Sequence, residues 1–298
     1  MPQHTFFFPA EEYEPEFFDD LDDLVRHNYG EVELHLHHDN DTEASLERTI
    51  RAALEAYGNR GHLTRAANGQ ARYAFIHGNW ALANGRPDGR LCGVNAELPL
   101  LFRTGCYADF TFPSCPDVTQ ANIVNQIYWP NGDLRRRRAY EYGRRARIGE
   151  SFDDRILCIT GPLVVGFREN TLKPRLEYGA IQLNDPVTAH RVRHWIEARV
   201  QVDGQPDWLF IKVYAHSATE DQSGAVLGDG GRQLHRSLQA FNDGAKYCLH
   251  YVTAREMYNI ARAAMDGKSG NPNSFRDYIL PRPPIRDGAG CCCGDRPA

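Results

Sequence analysis

The segment Glu31-Val-Glu-Leu-His-Leu-His-His-Asp-Asn-Asp41 closes an alternating apolar run with three histidines and two aspartates between positions 35 and 41. Successive side chains of a strand face opposite sides, so His35, His37 and Asp39 are predicted to project to one face at intervals of about 7 Å. Imidazole with carboxylate suits Zn²⁺ or a similar divalent transition ion, whereas Ca²⁺ and Mg²⁺ prefer all-oxygen shells. These three residues are therefore the expected metal ligands, against the blander reading of a solvated strand end. A zinc-like ion would lower the pKa of a bound water to roughly 7 and polarise a scissile carbonyl. Asp41 and Asp109 are the carboxylates expected to orient or deprotonate that water. His216, with an ordinary pKa of about 6.5, is a further candidate for proton transfer near neutral pH. His77, Asn79 and Trp80 are expected on the substrate side, where an indole can stack on a sugar ring; rim packing is the competing account of Trp80 and Asn79.

Short β-rich runs must position these groups. Seven stand out: His4 to Phe8, Glu31 to Leu36, Tyr73 to His77, Cys106 to Phe110, Ile156 to Thr160, Leu209 to Tyr214 and Cys248 to Val252. Helical periodicity fills the intervals at Pro15 to His27, Thr42 to Tyr57, Asn95 to Arg103 and Leu234 to Phe241. Asp185-Pro186 should open another helix running to about Val200. Thr253-Ala-Arg-Glu256 is a capping box for a last helix through Asp266. Strand-helix repetition of this kind predicts an α/β fold with a largely parallel sheet, closing as a barrel whose chemistry lies at the C-terminal strand ends. His37 and Asp39 follow the second run, His77 ends the third, Asp109 lies at the end of the fourth, and His216 follows the sixth.

The chain has 298 residues, 42% of them hydrophobic, enough for one large core, and a formal net charge of −5 that offers nucleic acid no attraction. Small or neutral substrates fit better. The first 25 residues carry eight carboxylates where a signal peptide needs an apolar stretch, and no long apolar run exists, so a cytoplasmic chain without a membrane partner is expected. Cys92, Cys106, Cys115, Cys158 and Cys248 are scattered singly, which predicts reduced thiols. Cys291-Cys292-Cys293 lies in a Gly/Pro-rich tail, residues 286–298, expected to be disordered after a single domain over residues 1–285. Arg135 to Arg138 and Arg144, Arg145 and Arg147 mark residues 129–150 as an exposed excursion, a solvated loop or a holder of an anionic substrate group. Gly224 to Gly231 lacks the lysine of a phosphate-binding loop and is expected to be a mobile loop over the site.

In their order, these segments resemble the polysaccharide deacetylases, carbohydrate esterases of the NodB homology type. In that family an Ala-Thr-Phe-Phe strand and a helix precede a Gly-x-Glu-Ile strand ending in His-(Ser/Thr)-x-x-His, which supplies two metal ligands. His4-Thr-Phe-Phe-Phe8, the helix from Pro15 and Glu31-Val-Glu-Leu-His35 keep that order, so the resemblance puts His35 on the first ligand and Asp39 on the second. Phe75-Ile-His-Gly-Asn-Trp80 occupies the place of an Arg-Pro-Pro-Tyr type motif. Lys212-Val-Tyr-Ala-His216-Ser217 is similar to a Leu-His-Asp motif whose histidine is the general acid, and Tyr251-Val-Thr-Ala-Arg-Glu-Met257 to the last strand and helix. The His-Leu-His-His-Asp and His-Gly-Asn-Trp phrases are closer to a group of deacetylase-like bacterial proteins. The resemblance implies an irregular (β/α) barrel, here of about seven strands, and metal-dependent removal of an acyl group from an N- or O-acylated sugar or related amide. The family's Thr-Phe-Asp-Asp strand, source of the catalytic base, has no counterpart. Either a preceding segment carries it, or other residues do its work, or the chain is a catalytically silent barrel that binds metal or glycan.

Overall fold

The phenylalanine-rich strand β1, His4–Pro9, pairs in parallel with β2, Gly30–Leu36, from His4 beside Gly30 to Pro9 beside His35. The computed structural model in which this pairing is seen describes residues 2–216 and 219–286. Parallel neighbours require a crossover, and α1, Pro15–Arg26, supplies it, with proline in its first turn and Phe18, Leu21 and Val25 buried at helical spacing. The step repeats twice. Helix α2, Glu43–Asn59, is capped by the Thr42 hydroxyl on the Ser45 N–H and leads through the short β3, Thr64–Arg65, to β4, Ala71–His77. Helix α3, Glu97–Thr104, ends at Gly105 in the left-handed region and leads to β5, Cys106–Asp109.

Beyond β5 the chain adds β6, Ile127–Pro130, and β7, Gly143–Arg145, as an antiparallel pair. Strand β8, Leu157–Ile159, then inserts between β5 and β6, parallel to the former and antiparallel to the latter. The spatial order β1-β2-β4-β5-β8-β6-β7, with β3 on β4, makes an eight-stranded, mostly parallel sheet in a mixed α/β fold. A separate hairpin of β9, Val164–Phe167, and β10, Pro174–Glu177, packs against α4, Ala189–Glu197. Helices α5, Glu220–Ser223, α6, Gly228–Gln239, and α7, Ala254–Met265, follow, and two 3-10 turns, Pro272–Phe275 and Pro284–Arg286, complete the described chain. Among the described residues no helix is long and apolar enough to cross a membrane.

Alternation along β2 separates two environments. Val32, Leu34 and Leu36 join Phe18, Ile50, Leu101 and Phe75 in a core beneath α1, α2 and α3. Glu31 and Glu33 turn the other way. Glu31 takes the Arg255 guanidinium at 2.7 and 3.0 Å and also meets Arg286, while Glu33 accepts the Tyr107 hydroxyl and, at 2.6 Å, the Ala74 N–H. On that side α7 joins Tyr107, Trp129 and Leu157 in a second core. Eleven of the twelve α7 residues are buried, so this helix is an internal element rather than a surface one.

The sequence-based elements are corrected at several points. Leu209 to Tyr214 is not a strand: it is extended chain held by one parallel bridge between Tyr214 and Ala180. Cys248 to Val252 is irregular chain leading into the Thr253 cap. Helix α4 is capped by Thr188 rather than Asp185, whose carboxylate instead receives Arg175 at 2.5 and 2.9 Å. Gly224 to Gly231 is no loop over the strand ends, because Ala225 packs with Trp195 and Leu234 and α6 begins at Gly228. Residues 129–150 are exposed over much of their length but anchored: Trp129 is buried in β6, and Arg135, Arg138, Arg144 and Arg145 pair with Glu43, Glu141, Glu150 and Asp203. The five described cysteines are all free thiols. The Cys291 to Cys293 tail and Ser217 lie outside the described residues.

Candidate functional site

The sheet register levels the C-terminal ends of three parallel strands, with Leu36 beside His77 and Phe75 beside Asp109. Side-chain alternation then divides the residues just past β2 between two groups. His35 and His37 lie together, ring centroids 4.6 Å apart, and the Glu11 carboxylate binds both the backbone N–H of His37, at 3.1 Å, and its Nδ1. Gly78 makes room for this ring, since a Cβ there would stand 2.3 Å from His37 Cδ2. His216 approaches from the chain after Tyr214, its ring 6.5 Å from that of Trp80. Trp80 sits in the left-handed region at φ 56°, a conformation disfavoured for a bulky residue and held here by its N–H bond to the His77 carbonyl. Burial, reinforced by the other histidines, lowers the His35 pKa to about 4, and burial with His37 lowers that of His216. Both rings are neutral at pH 7, and the buried Nδ1 of His35 has no hydrogen-bond partner.

His38 goes the other way, into the core beneath α2 and α3. There it meets His77 from the end of β4, Cys92 from the following loop and Glu97 from the first turn of α3. All four are buried, and one ligand atom from each lies within 4.8 Å of the others. His38 Nε2 is 3.3 Å from Glu97 Oε1, the Cys92 thiol is 3.4 Å from Glu97 Oε2, and the His38 and His77 ring centroids are 4.6 Å apart. Asp41 Oδ2, 3.1 Å from His38 Nδ1, fixes that ring with Nε2 toward the group, the usual outer partner of a metal-bound imidazole.

This group could hold a metal ion. Two imidazoles, a thiolate and a carboxylate are a donor set for a Zn²⁺-like ion, and the two anionic donors would balance its charge. His77 Nε2 is buried without a hydrogen-bond partner, 3.9 Å from Glu97 Oε1. Its Nδ1 accepts the Asn79 N–H at 3.2 Å, so the proton of the neutral ring sits on Nε2. Ligation through that atom requires the proton to move to Nδ1 and the Asn79 amide to turn aside; His38 and Cys92 would also release the protons they direct at Glu97, whose carboxylate needs no such change. Without an ion the group is an ionic network. Burial opposes charge on His38, but the Glu97 hydrogen bond and the charges of Glu97 and Asp41 outweigh it and raise its pKa. Burial lowers the His77 pKa to about 3 and pushes the Cys92 thiol up.

Between the two groups Thr111 accepts the His77 N–H at 2.9 Å and donates to Asp109 at 2.7 Å. Burial raises the Asp109 pKa to about 7, against the Thr111 bonds and Lys212. Burial likewise lowers that of Lys212 to about 8, while its Nζ donates to the Phe112 carbonyl at 3.1 Å.

The expected ligands are therefore redistributed. His35 and His37 meet each other and Glu11, but Asp39 leaves them and accepts the Leu91 N–H at 2.5 Å, pinning one loop to the next. Asp41 orients His38 and holds the Ser45 hydroxyl at the start of α2. His77 has no exposed surface and so lies beneath any substrate, and the Asn79 side-chain amide donates to the His38 carbonyl. His38, Cys92, Glu97 and Glu11 were missed. The parity of β2 was the available signal for His38, because positions 32, 34, 36 and 38 alternate together toward the core. A glutamate between Ala96 and Leu98 at the head of an apolar helix was the signal for Glu97. No family model, curated protein or solved structure matches this chain.

Proposed function

We propose that the chain is a metal-dependent hydrolase of the polysaccharide-deacetylase type, on an irregular (β/α) barrel, removing an acyl group from an N- or O-acylated sugar or related amide. The observation that carries this reading is the convergence of Glu11, His35, His37 and His216 beside Trp80, level with the C-terminal ends of β2 and β4. Neutral His35 and His216 are suited to accept protons, and a protonated His216 would then return its proton to the leaving group. Glu11 orients His37, a carboxylate partner of the kind the family's aspartate strand supplies. Asp109 is too deep to touch substrate, but with a pKa near 7 it can hold a proton behind His77. Trp80 offers a face to a sugar ring. A divalent ion, zinc by its donor set, would polarise the scissile carbonyl if it sat with His35 and His37, and would brace the loops if it sat with His38, Cys92 and Glu97.

The burial of the second group favours a second reading, a non-catalytic barrel that binds metal or glycan, because closed four-donor sites are structural while catalytic ones keep a position open. Elemental analysis of the parent, a His35→Ala/His37→Ala variant and a His38→Ala/Cys92→Ser variant, with acetylated sugars and amides as substrates, decides between them. Hydrolysis lost in the first variant supports the enzyme. Metal lost only in the second variant, from a parent inert to every acyl substrate, would leave the binding module.

A further inference from the structure

Helix α4 carries another histidine pair, far in sequence from the strand ends. His190 and His194 are four residues apart, share one helix face, and bring their Nε2 atoms to 3.2 Å. His190 Nε2 also lies 2.8 Å from the carbonyl oxygen of Phe167 on β9. His194 Nδ1 is 3.2 Å from Glu197 Oε2, which directs the Nε2 lone pair of that ring toward His190. The rings stand nearly perpendicular, at 80°. Strand β9 closes over them only because residue 166 is glycine: a Cβ there would lie 2.6 and 2.7 Å from Cε1 and Nε2 of His194. Both histidines are partly exposed, so an ion has a way in.

We propose that His190, His194 and the Phe167 carbonyl bind a divalent transition-metal ion of the Zn²⁺ or Cu²⁺ class, which clamps the β9–β10 hairpin to α4. Two imidazole nitrogens on a tetrahedral zinc, each about 2.0–2.1 Å from the metal, stand about 3.3 Å apart, so the 3.2 Å separation needs almost no rearrangement. An i, i+4 histidine pair is a chelate that helices use for zinc, and Glu197 stands where an outer carboxylate fixes a ligating ring. Imidazole nitrogen and one carbonyl do not make a calcium or magnesium shell. The adjacent Arg191 does not repel the ion with a free charge, since both its Nε and Nη2 are bound to Glu177, at 2.8 and 2.9 Å. In the absence of an ion, the same contacts make a shared hydrogen bond, with one Nε2–H directed at Phe167 and the other ring. The site shares no residue with the strand-end groups and stands apart from the hydrolase reading.

The test is calorimetric titration of the stripped full-length chain with Zn²⁺, in the parent and in a His35→Ala/His38→Ala background that removes uptake by both strand-end groups; Cys92→Ser replaces His38→Ala if that variant does not fold. A binding event is expected to persist in that background. His190→Ala or His194→Ala should weaken it at least tenfold, and Glu197→Gln about 10-fold or more. Zn²⁺ should also slow amide exchange across residues 164–177, and fail to do so in His194→Ala. In that background, zinc affinity unchanged by removal of His190 or His194, no binding event at millimolar Zn²⁺, or a hairpin whose exchange ignores zinc would each overturn the proposal.

Discussion

His37 and His38 are adjacent in sequence yet belong to different sites: His37 is exposed against Glu11, while His38 is buried between Asp41 and Glu97. One peptide unit separates a group open to solvent from one closed to it. The cause is the strand period of two, which continues past Leu36 and gives consecutive histidines to opposite sides of the sheet.

Metal binding should respect this division. His38→Ala is expected to abolish uptake by the buried group. Asp41→Asn, which removes only the outer partner of His38, should weaken zinc affinity by about 10- to 100-fold. His37→Ala should leave that affinity unchanged. Competition with a chromophoric chelator measures all three, and zinc retained in full by His38→Ala would remove the buried group from consideration.

Acid should destabilise the metal-free chain well above the carboxylate range. The His35 and His77 pKa values are depressed, to about 4 and about 3, so the unfolded state takes up protons first as pH falls. Stability from these two rings is present above about pH 6.5 and is lost progressively down to their folded values. The raised pKa of His38 works in the opposite direction, its contribution being present in acid and lost as pH rises. Urea midpoints between pH 7 and 4 should fall, and should fall less steeply in a His35→Gln variant; parallel profiles would contradict the assignment.

Glu177 anchors the smaller core around α4. It accepts Arg191, Arg175 and the Trp195 indole N–H. Its burial raises the pKa, but those bonds and charges prevail and hold it at about 2. Glu177→Gln should destabilise the protein by about 3–5 kcal/mol, because it strands a buried guanidinium. In the parent the carboxylate's contribution is present above about pH 4.5 and disappears toward pH 2. Denaturant unfolding of both chains tests this; a cost below about 1 kcal/mol would mean that the arginines find other partners.

His216→Ala should lower hydrolysis of an acetylated substrate by about 10²- to 10⁴-fold. Only part of the His216 ring is shielded by its neighbours and the residue keeps much of its surface open to solvent, so its loss should change stability by less than about 0.5 kcal/mol. Gly78→Ala should also cut the rate, since its Cβ would displace the His37 ring from Glu11. Full activity in both variants would show that the cluster beside Trp80 is not the reacting one.

Local physics made much of the scaffold legible in the sequence. The Phe-rich run from His4, the helix opened by Pro15, the alternation through Leu36 and the Thr253-to-Glu256 box each specify an element from neighbours alone, and each appears. Leu209 to Tyr214 reads as a strand by composition but makes only one bridge, because strand identity depends on a partner along its whole length.

For the chemistry the sequence by itself determined that the His-rich run ends a strand and that His77 and Asp109 end two others. Only the tertiary structure decided which of these residues meet. Cys92 and Glu97 join His38 because the loop after β4 and the head of α3 return over the end of β2, and Glu11 reaches His37 because β1 lies beside β2. Such contacts join residues 26 to 59 positions apart, a separation at which no local pattern carries information and only packing does.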